Sequence, residues 1–201
     1  MPGLSTESDP ILLFDQWLVD AAAAEPNDPN AAALATSTPD GIPSVRMVLA
    51  KRILDSDAGD QRFCIFTNIE SRKGEEILAN PHAALCFHWK SLRRQFRVEG
   101  PLAPLSAEAS DAYFHSRSRG SQIGAAVSNQ SRPLANRELL EDRAAAFSHA
   151  HPDQIPRPGY WRGFYLRPER IEFWINGHNR LHDRLLFTRD GNHWHQTRLY
   201  P

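Results

Sequence analysis

The sequence predicts a mainly β protein of the α+β class, an antiparallel barrel with helices packed on its outside. Three observations carry this. Eight or nine short segments alternate apolar and polar residues with the period of two that strands use. Most of these segments follow one another directly through turn residues such as Pro39-Asp40-Gly41 and Asp190-Gly191-Asn192, with only three or four helical stretches between them. The βαβ alternation and the G-x-G-x-x-G fingerprint of a doubly wound nucleotide-binding fold are missing.

The elements follow in order. Asp9-Pro10 supplies a capping side chain and a first-turn proline, and Ile11, Phe14 and Leu18 recur at helical spacing, so a helix runs to about Ala24 and stops at the Pro26–Pro29 stretch. Ala31 to Ser37 and Ser44 to Ile53 form a hairpin about Pro39-Asp40-Gly41, and Gln61 to Thr67 adds a third strand. Ser71 caps a short helix to Ala79 before Asn80-Pro81, after which Ala83 to Trp89 and Gln95 to Leu102 are strands. Ser106 opens a helix to about Ser116, Ser121 to Ser128 forms another, and Leu134 to Ala150 is the longest helical pattern. Beyond the Pro-rich link 152–158, strands are predicted at Trp161–Leu166, Ile171–Ile175, Leu181–Arg189 and His193–Leu199.

Composition narrows the function. The 201 residues, 41% hydrophobic, suit one well-buried domain over 1–201. A formal charge of -1 leaves no global positive field for a nucleic-acid backbone, so any anion site is local. The chain has 20 Arg against three Lys, a bias that suits bidentate phosphate recognition and that Arg-rich codon usage would equally produce. Cys64 and Cys86 sit in the apolar runs FCIF and ALCF as small buried thiols, pointing to a reduced, cytoplasmic setting. No leader and no membrane-spanning run is recognisable. The pairs His178/His182 and His193/His195 lack a completing Cys or carboxylate cluster, so no metal is expected.

Several clusters bear chemistry. In Ile171–Arg184, IEFWINGHNRLHDR, a strand with Trp174 leads through Asn176-Gly177 into a second run where Arg180, His182 and Arg184 occupy alternate positions. On a strand all three share one face, which suits a flat anionic ligand or a solvated outer surface. Arg46 and Lys51 end the strand RMVLAK five residues apart, on nominally opposite faces, serving two anions or snorkelling into water. Ser71-Arg72-Lys73 gathers amide donors, a helix N-terminus and two cations at one point, a sound phosphate site but a common pattern. Tyr113 and Arg117 are four apart on one helix face with Ser121 a turn further on; hydroxyl, guanidinium and hydroxyl together can surround a phosphate dianion, or the pair is simply surface. Gln95, Gln130 and Ser131 carry no signal by themselves.

From about Ala31 to Pro201 these motifs, in this order, resemble the pyridoxamine 5′-phosphate oxidase family, whose C-terminal signature of E-F-W, a short turn and R-L-H-D-R is similar to Glu172–Arg184. The resemblance implies an FMN-binding split β-barrel of antiparallel Greek-key type, with an N-terminal helix and arm (1–30), a helical insertion (106–150) and C-terminal strands (159–201) that close the active site. It implies a homodimer with FMN at the interface. The implied reaction oxidises pyridoxamine or pyridoxine 5′-phosphate to pyridoxal 5′-phosphate, with hydride passing from C4′ to flavin N5 and O2 reoxidising the flavin.

Carried over residue by residue, FMN falls to Arg46, Met47, Val48, Leu49, Ala50, Lys51, Phe66, Thr67, Arg72 and Lys73, and to Gln95, Gln130, Ser131, Trp174 and Arg184. The substrate falls to Lys51, Tyr113, Arg117, Ser121, Arg180, Leu181 and His182, with Arg180 and His182 as the catalytic pair over the substrate ring; His182 is a candidate for assisting proton removal. Three departures stand out: Ile175 where the family has a polar residue or Gly, Arg162 where W-G-G-F would have Gly, and an N-terminal arm without the family's basic, Tyr-containing lid. The alternatives are a related FMN oxidase acting on another aromatic substrate of phenazine type and a non-catalytic FMN or pyridoxal phosphate binding protein.

Overall fold

Asp9 starts the first helix as expected. Its side chain accepts the Ile11 amide at 2.8 Å and Pro10 fills the first helical position, giving α1 (Pro10–Ala24), which at 15 residues is the longest described helix. The computed structural model describes residues 9–55 and 60–201. Among these the strands are β1 (Ala31–Ser37), β2 (Pro43–Leu49), β3 (Lys51–Asp55), β4 (Asp60–Asn68), β5 (His82–Trp89), β6 (Arg94–Pro104), β7 (Trp161–Leu166), β8 (Arg170–Ile175), β9 (Asp183–Asp190) and β10 (His193–Leu199). The other helices are α2 (Arg72–Ala79), α3 (Ala107–Ser116), α4 (Arg119–Val127) and α5 (Arg137–Ala150).

All strand pairs are antiparallel. Following the hydrogen bonds, the barrel runs β2-β1-β5-β6-β7-β4-β3, and β8-β9-β10 extend from β6 as a second arm of sheet. β6 serves both: Arg94–Glu99 pair with β8, and Leu102–Pro104 with β7. The barrel is split where β2 passes into β3. There the structure departs from the single strand expected over Ser44–Ile53: the Ala50 amide donates to the Asn30 carbonyl at 3.0 Å and the Asn30 side chain donates back to the Ala50 carbonyl at 3.0 Å. Those two bonds close the β1–β2 ladder one step beyond the Ala31–Leu49 pair, and from Lys51 the chain pairs with β4 instead, so Arg46 and Lys51 lie on different sheets instead of at two ends of one strand. The break also makes ten strands where eight or nine were expected.

Inside the barrel, α1 inserts its apolar face. Phe14 lies 4.4 Å from Phe96 and 4.8 Å from Phe63, and Trp17 meets Phe173 edge-on at 4.9 Å. The helix is pinned at its rim by Asp15 with Arg52 (2.9 Å) and Asp20 with Arg94 (2.6 Å). Cys64 is buried in the barrel, whereas Cys86 is only half-buried, its thiol pushed up by burial; neither forms a disulfide. No helix among the described residues is long and apolar enough to cross a membrane. Replacing Phe14 with Ala would leave a cavity where four rings meet and is expected to cost about 3–5 kcal/mol in urea unfolding, without changing the slope of the transition.

Candidate active site

A cavity of about 460 Å³ opens at the split, between the end of β2, the end of β4 and the helices α3 and α4. Met47, Val48 and Leu49 form one side, and Phe66 and Thr67 face them from β4. The floor is aromatic. Tyr113 stacks on Phe66 at 4.0 Å between ring centres, and Phe66 lies 5.2 Å from Trp161, nearly parallel. Gly163 makes that seat available, because a Cβ there would stand 2.6 Å from the Phe66 ring. The departure at Arg162 is accommodated for the opposite reason: its side chain is exposed and its Nε donates to the Gly159 carbonyl at 3.2 Å.

At one end of the cavity stands Arg117. Its guanidinium lies 5.1 Å from the Trp161 ring centre, and its Nη1 is buried without a hydrogen-bond partner. Burial pulls its pKa down and Tyr113 opposes that, but a guanidinium stays charged, so an unmet cationic donor faces the space. Leaving such a group unpaired costs about 1–3 kcal/mol, which a bound anion would relieve. The sequence placed Tyr113 and Arg117 on one helix face with Ser121 a turn further on; the structure puts Arg117 just beyond the helix, as its C-cap. α3 ends at Ser116, the Arg117 amide bonds back to the Phe114 carbonyl, and Ser118 caps α4 through the Ser121 amide. The turn between the two helices still brings all three residues to the same cavity.

At the other end is Lys73, one residue into α2, whose cap Ser71 accepts the Gly74 amide at 3.3 Å. Lys73 Nζ donates to Gln130 at 2.7 Å, and Thr67 reaches the same amide oxygen at 3.4 Å. Burial and the neighbouring Arg46 depress the Lys73 pKa, with Glu76 acting against them. Arg46 and Arg72 stand behind this end and do not line the cavity; both are held by Glu76, a residue the sequence reading missed. Glu76 Oε2 accepts from Thr36 and Ser44, each at 2.5 Å, and from Arg46 at 3.2 Å, while Oε1 accepts Arg72 Nε at 2.9 Å. Burial alone would raise the carboxyl pKa, but these bonds outweigh it and hold it at about 2. The available signal was Glu76 four residues after Arg72 on a helix face. Trp161 was read only as a strand residue; nothing local marks it as a platform.

The remaining candidates sit elsewhere. Ala50 is buried at the split and Lys51 half-buried on β3. Gln95 pairs with Trp174 across β6 and β8, and Ser131 is exposed in a left-handed conformation. The expected row of Arg180, His182 and Arg184 on one strand face is not formed. Residues His178–Arg180 make a 3-10 turn with Asn179 and Arg180 at positive φ, and β9 begins only at Asp183. Arg184 alone is on the strand, where it pairs with Glu172 at 2.8 Å; Arg97 binds the same carboxylate. His182 instead rests on Trp174, ring centres 4.6 Å apart, and Leu181 is 73% exposed. Ile175, another of the departures, packs against the main core.

Residues 18–151 match the family pattern described as pyridoxamine 5′-phosphate oxidase, and residues 161–201 match a pyridoxine 5′-phosphate oxidase C-terminal dimerisation region. The chain belongs to the pyridoxamine 5′-phosphate oxidase family. Among its relatives, pyridoxine/pyridoxamine 5′-phosphate oxidases of Gluconobacter oxydans and Rhodospirillum rubrum are 56% and 55% identical, covering 100% and 97% of this chain and 98% of each relative. The crystal structure of PhzG from Burkholderia lata, in complex with tetrahydrophenazine-1-carboxylic acid, superposes with a TM-score of 0.89 at 34% identity, covering 98% of this chain and 95% of that one. A pyridoxamine 5′-phosphate oxidase-related, FMN binding protein from Nostoc punctiforme shares the fold, with a TM-score of 0.76 at 18% identity over 98% of this chain and 100% of that one. In this member of the oxidase family, Glu76→Gln is expected to destabilise the fold by about 2–4 kcal/mol, since two arginines lose their shared charge, measured by chemical denaturation. Because folding lowers the Glu76 pKa, its charge stabilises fully above its ordinary value of 4.5, and that contribution fades as pH falls toward about 2. The wild-type advantage over Glu76→Gln should therefore shrink across that window.

Proposed function

We propose that this protein is an FMN-dependent oxidase that converts pyridoxamine or pyridoxine 5′-phosphate to pyridoxal 5′-phosphate with O2 as electron acceptor. The observation that carries the reading is the cavity with a cation at each end, Lys73 and the unpartnered Arg117, and a stack of aromatic rings between them. Two phosphorylated, flat molecules lying against each other need that arrangement of anchors.

When bound, FMN supplies the two-electron chemistry, accepting electrons from the substrate and passing them to O2. The chain's own residues do the positioning. Lys73, Thr67 and Gln130 form the polar end that would take the FMN phosphate, with Arg46 and Arg72 adding positive charge from behind. Arg117, Tyr113 and Ser121 would take the substrate phosphate, and the backbone strip Met47–Leu49 would border the flavin ring.

Trp174, Arg180, His182 and Arg184 do not line this cavity within one chain, and a homodimer with FMN at its interface accounts for that. β2 supports the dimer. Val45, Met47 and Leu49 point the same way from this edge strand and are 68%, 65% and 48% exposed, opposite the small residues Ala35, Ala33 and Ala31. Since Met47 and Leu49 also border the cavity, a second copy covering that face would roof it and bring its own C-terminal turn close. A reducing, cytoplasmic setting suits the unbridged thiols.

A phenazine-type substrate, suggested by the likeness to PhzG, would offer Arg117 a single carboxylate, whereas a phosphorylated vitamer offers a dianion that the Arg117, Tyr113 and Ser121 donors can surround together. The deciding experiment loads the protein with FMN under anaerobic conditions and adds pyridoxamine 5′-phosphate; bleaching of the yellow absorbance that recovers in air is expected, and persistent colour would overturn the substrate. Lys73→Met should weaken FMN binding at least about tenfold while riboflavin binding changes little, by fluorescence titration. Arg180→Ala should slow flavin reduction in stopped flow and leave FMN bound.

A further inference from the structure

The turn between β8 and β9 contains a contact that decides what His182 can do. The Gly177 amide donates to His182 Nδ1 at 3.2 Å. A neutral imidazole has one nitrogen that accepts and one that carries the proton. If Nδ1 accepts from a backbone N–H, the proton is on Nε2.

The turn is constructed around this contact. Asn179 and Arg180 both adopt left-handed conformations, with φ of 53° and 63°, at a cost of about 1 kcal/mol or more each. The bend is closed by the Leu181 amide on the His178 carbonyl at 3.0 Å and the His182 amide on the Arg180 carbonyl at 2.9 Å. Its start is tied to the sheet by the Asn176 amide on the Arg93 carbonyl at 3.0 Å. Only glycine fits at 177, because a Cβ there would stand 1.7 Å from the Leu181 carbonyl oxygen. That close approach brings the Gly177 N–H within reach of the ring, while Trp174 supports the imidazole from the side. No other side chain is needed to select the tautomer.

We propose that Gly177 is a positioning residue that holds neutral His182 as the Nε2–H tautomer, so that His182 meets the substrate as a hydrogen-bond donor and not as its proton acceptor. This rests on the assignment of His182 to the substrate made above. It reverses the expectation that His182 assists proton removal: in this tautomer Nε2 has no lone pair to offer, and Nδ1 is engaged by the backbone. A donor at Nε2 suits an electron-rich oxygen of a phosphorylated vitamer.

The test is long-range proton–nitrogen NMR of the FMN-loaded, full-length protein with labelled histidine, the His182 signals being identified by their loss in His182→Asn. At neutral pH the expected pattern is that of a proton fixed on Nε2, with Nδ1 resonating as an unprotonated, hydrogen-bonded nitrogen. A proton on Nδ1, or the averaged signals of a mixture, would overturn the proposal. Adding pyridoxal 5′-phosphate should shift the Nε2 signal and keep the pattern. If the pattern is as expected but the ligand leaves it unmoved, the substrate contact itself fails and the donor role falls with it. In kinetics, His182→Gln can present an N–H near the Nε2 position whereas His182→Asn retains only the acceptor for Gly177. The KM for the vitamer should therefore rise about tenfold in the Asn variant and clearly less in the Gln variant. Equal losses in the two, with both folded, would count against a donor at Nε2.

Discussion

The structure depends on the way its barrel fails to close. β2 and β3 are consecutive in the chain yet belong to different sheets: Ala50 and Asn30 exchange two hydrogen bonds that close the β1–β2 ladder, and from Lys51 onward the chain pairs with β4. A closed barrel would satisfy its backbone along that edge and fill its interior with side chains. The split instead leaves the end of β2 facing the end of β4 across open space, and the cavity is that space. The apolar interior is completed by α1, whose Phe14 and Trp17 occupy the barrel's own core, so the cavity can stay open without leaving the main cluster unpacked.

Buried charge is distributed unevenly through the molecule. Two buried carboxylates each hold two guanidinium groups: Glu76 takes Arg46 and Arg72, and Glu172 takes Arg97 and Arg184. Burial opposes the Glu172 charge as it does that of Glu76, and bonds from the arginines hold it. Such triads leave little free charge, and they orient side chains whose remaining donors can then meet a ligand. Arg117 is the exception at the cavity. It has an aromatic face beneath it, and its Nη1 is buried without a hydrogen-bond partner.

Backbone strain is concentrated in the turn after β8, where two non-glycine residues take left-handed conformations within a three-residue turn. The turn carries Arg180 and precedes His182, so the strain lies where the proposed chemistry requires fixed side chains. The flanking strands are ordinary by comparison, and β8 and β9 pair in regular register up to Ile175 and Asp183.

Local chemistry was enough to make much of this legible in the chain. Asp9-Pro10, Ser71 and Ser106 are strong helix signals because the capping bond involves residues only two or three apart, and all three cap the helices they were expected to cap. Alternation located the strands for the same reason, and the order of motifs identified the family. What tertiary structure decided depends on partners distant in sequence. Ala50 looks like a mid-strand residue until Asn30 is beside it, Glu76 looks like a surface helix residue until β1 and β2 bring Thr36, Ser44 and Arg46 to it, and Trp161 becomes a platform only where β7 passes Phe66 and Tyr113. Alternate spacing placed Arg180 and His182 on a strand, but spacing cannot register that the glycine at 177 admits a carbonyl where any side chain would stand, which turns the chain out of the sheet before β9 begins.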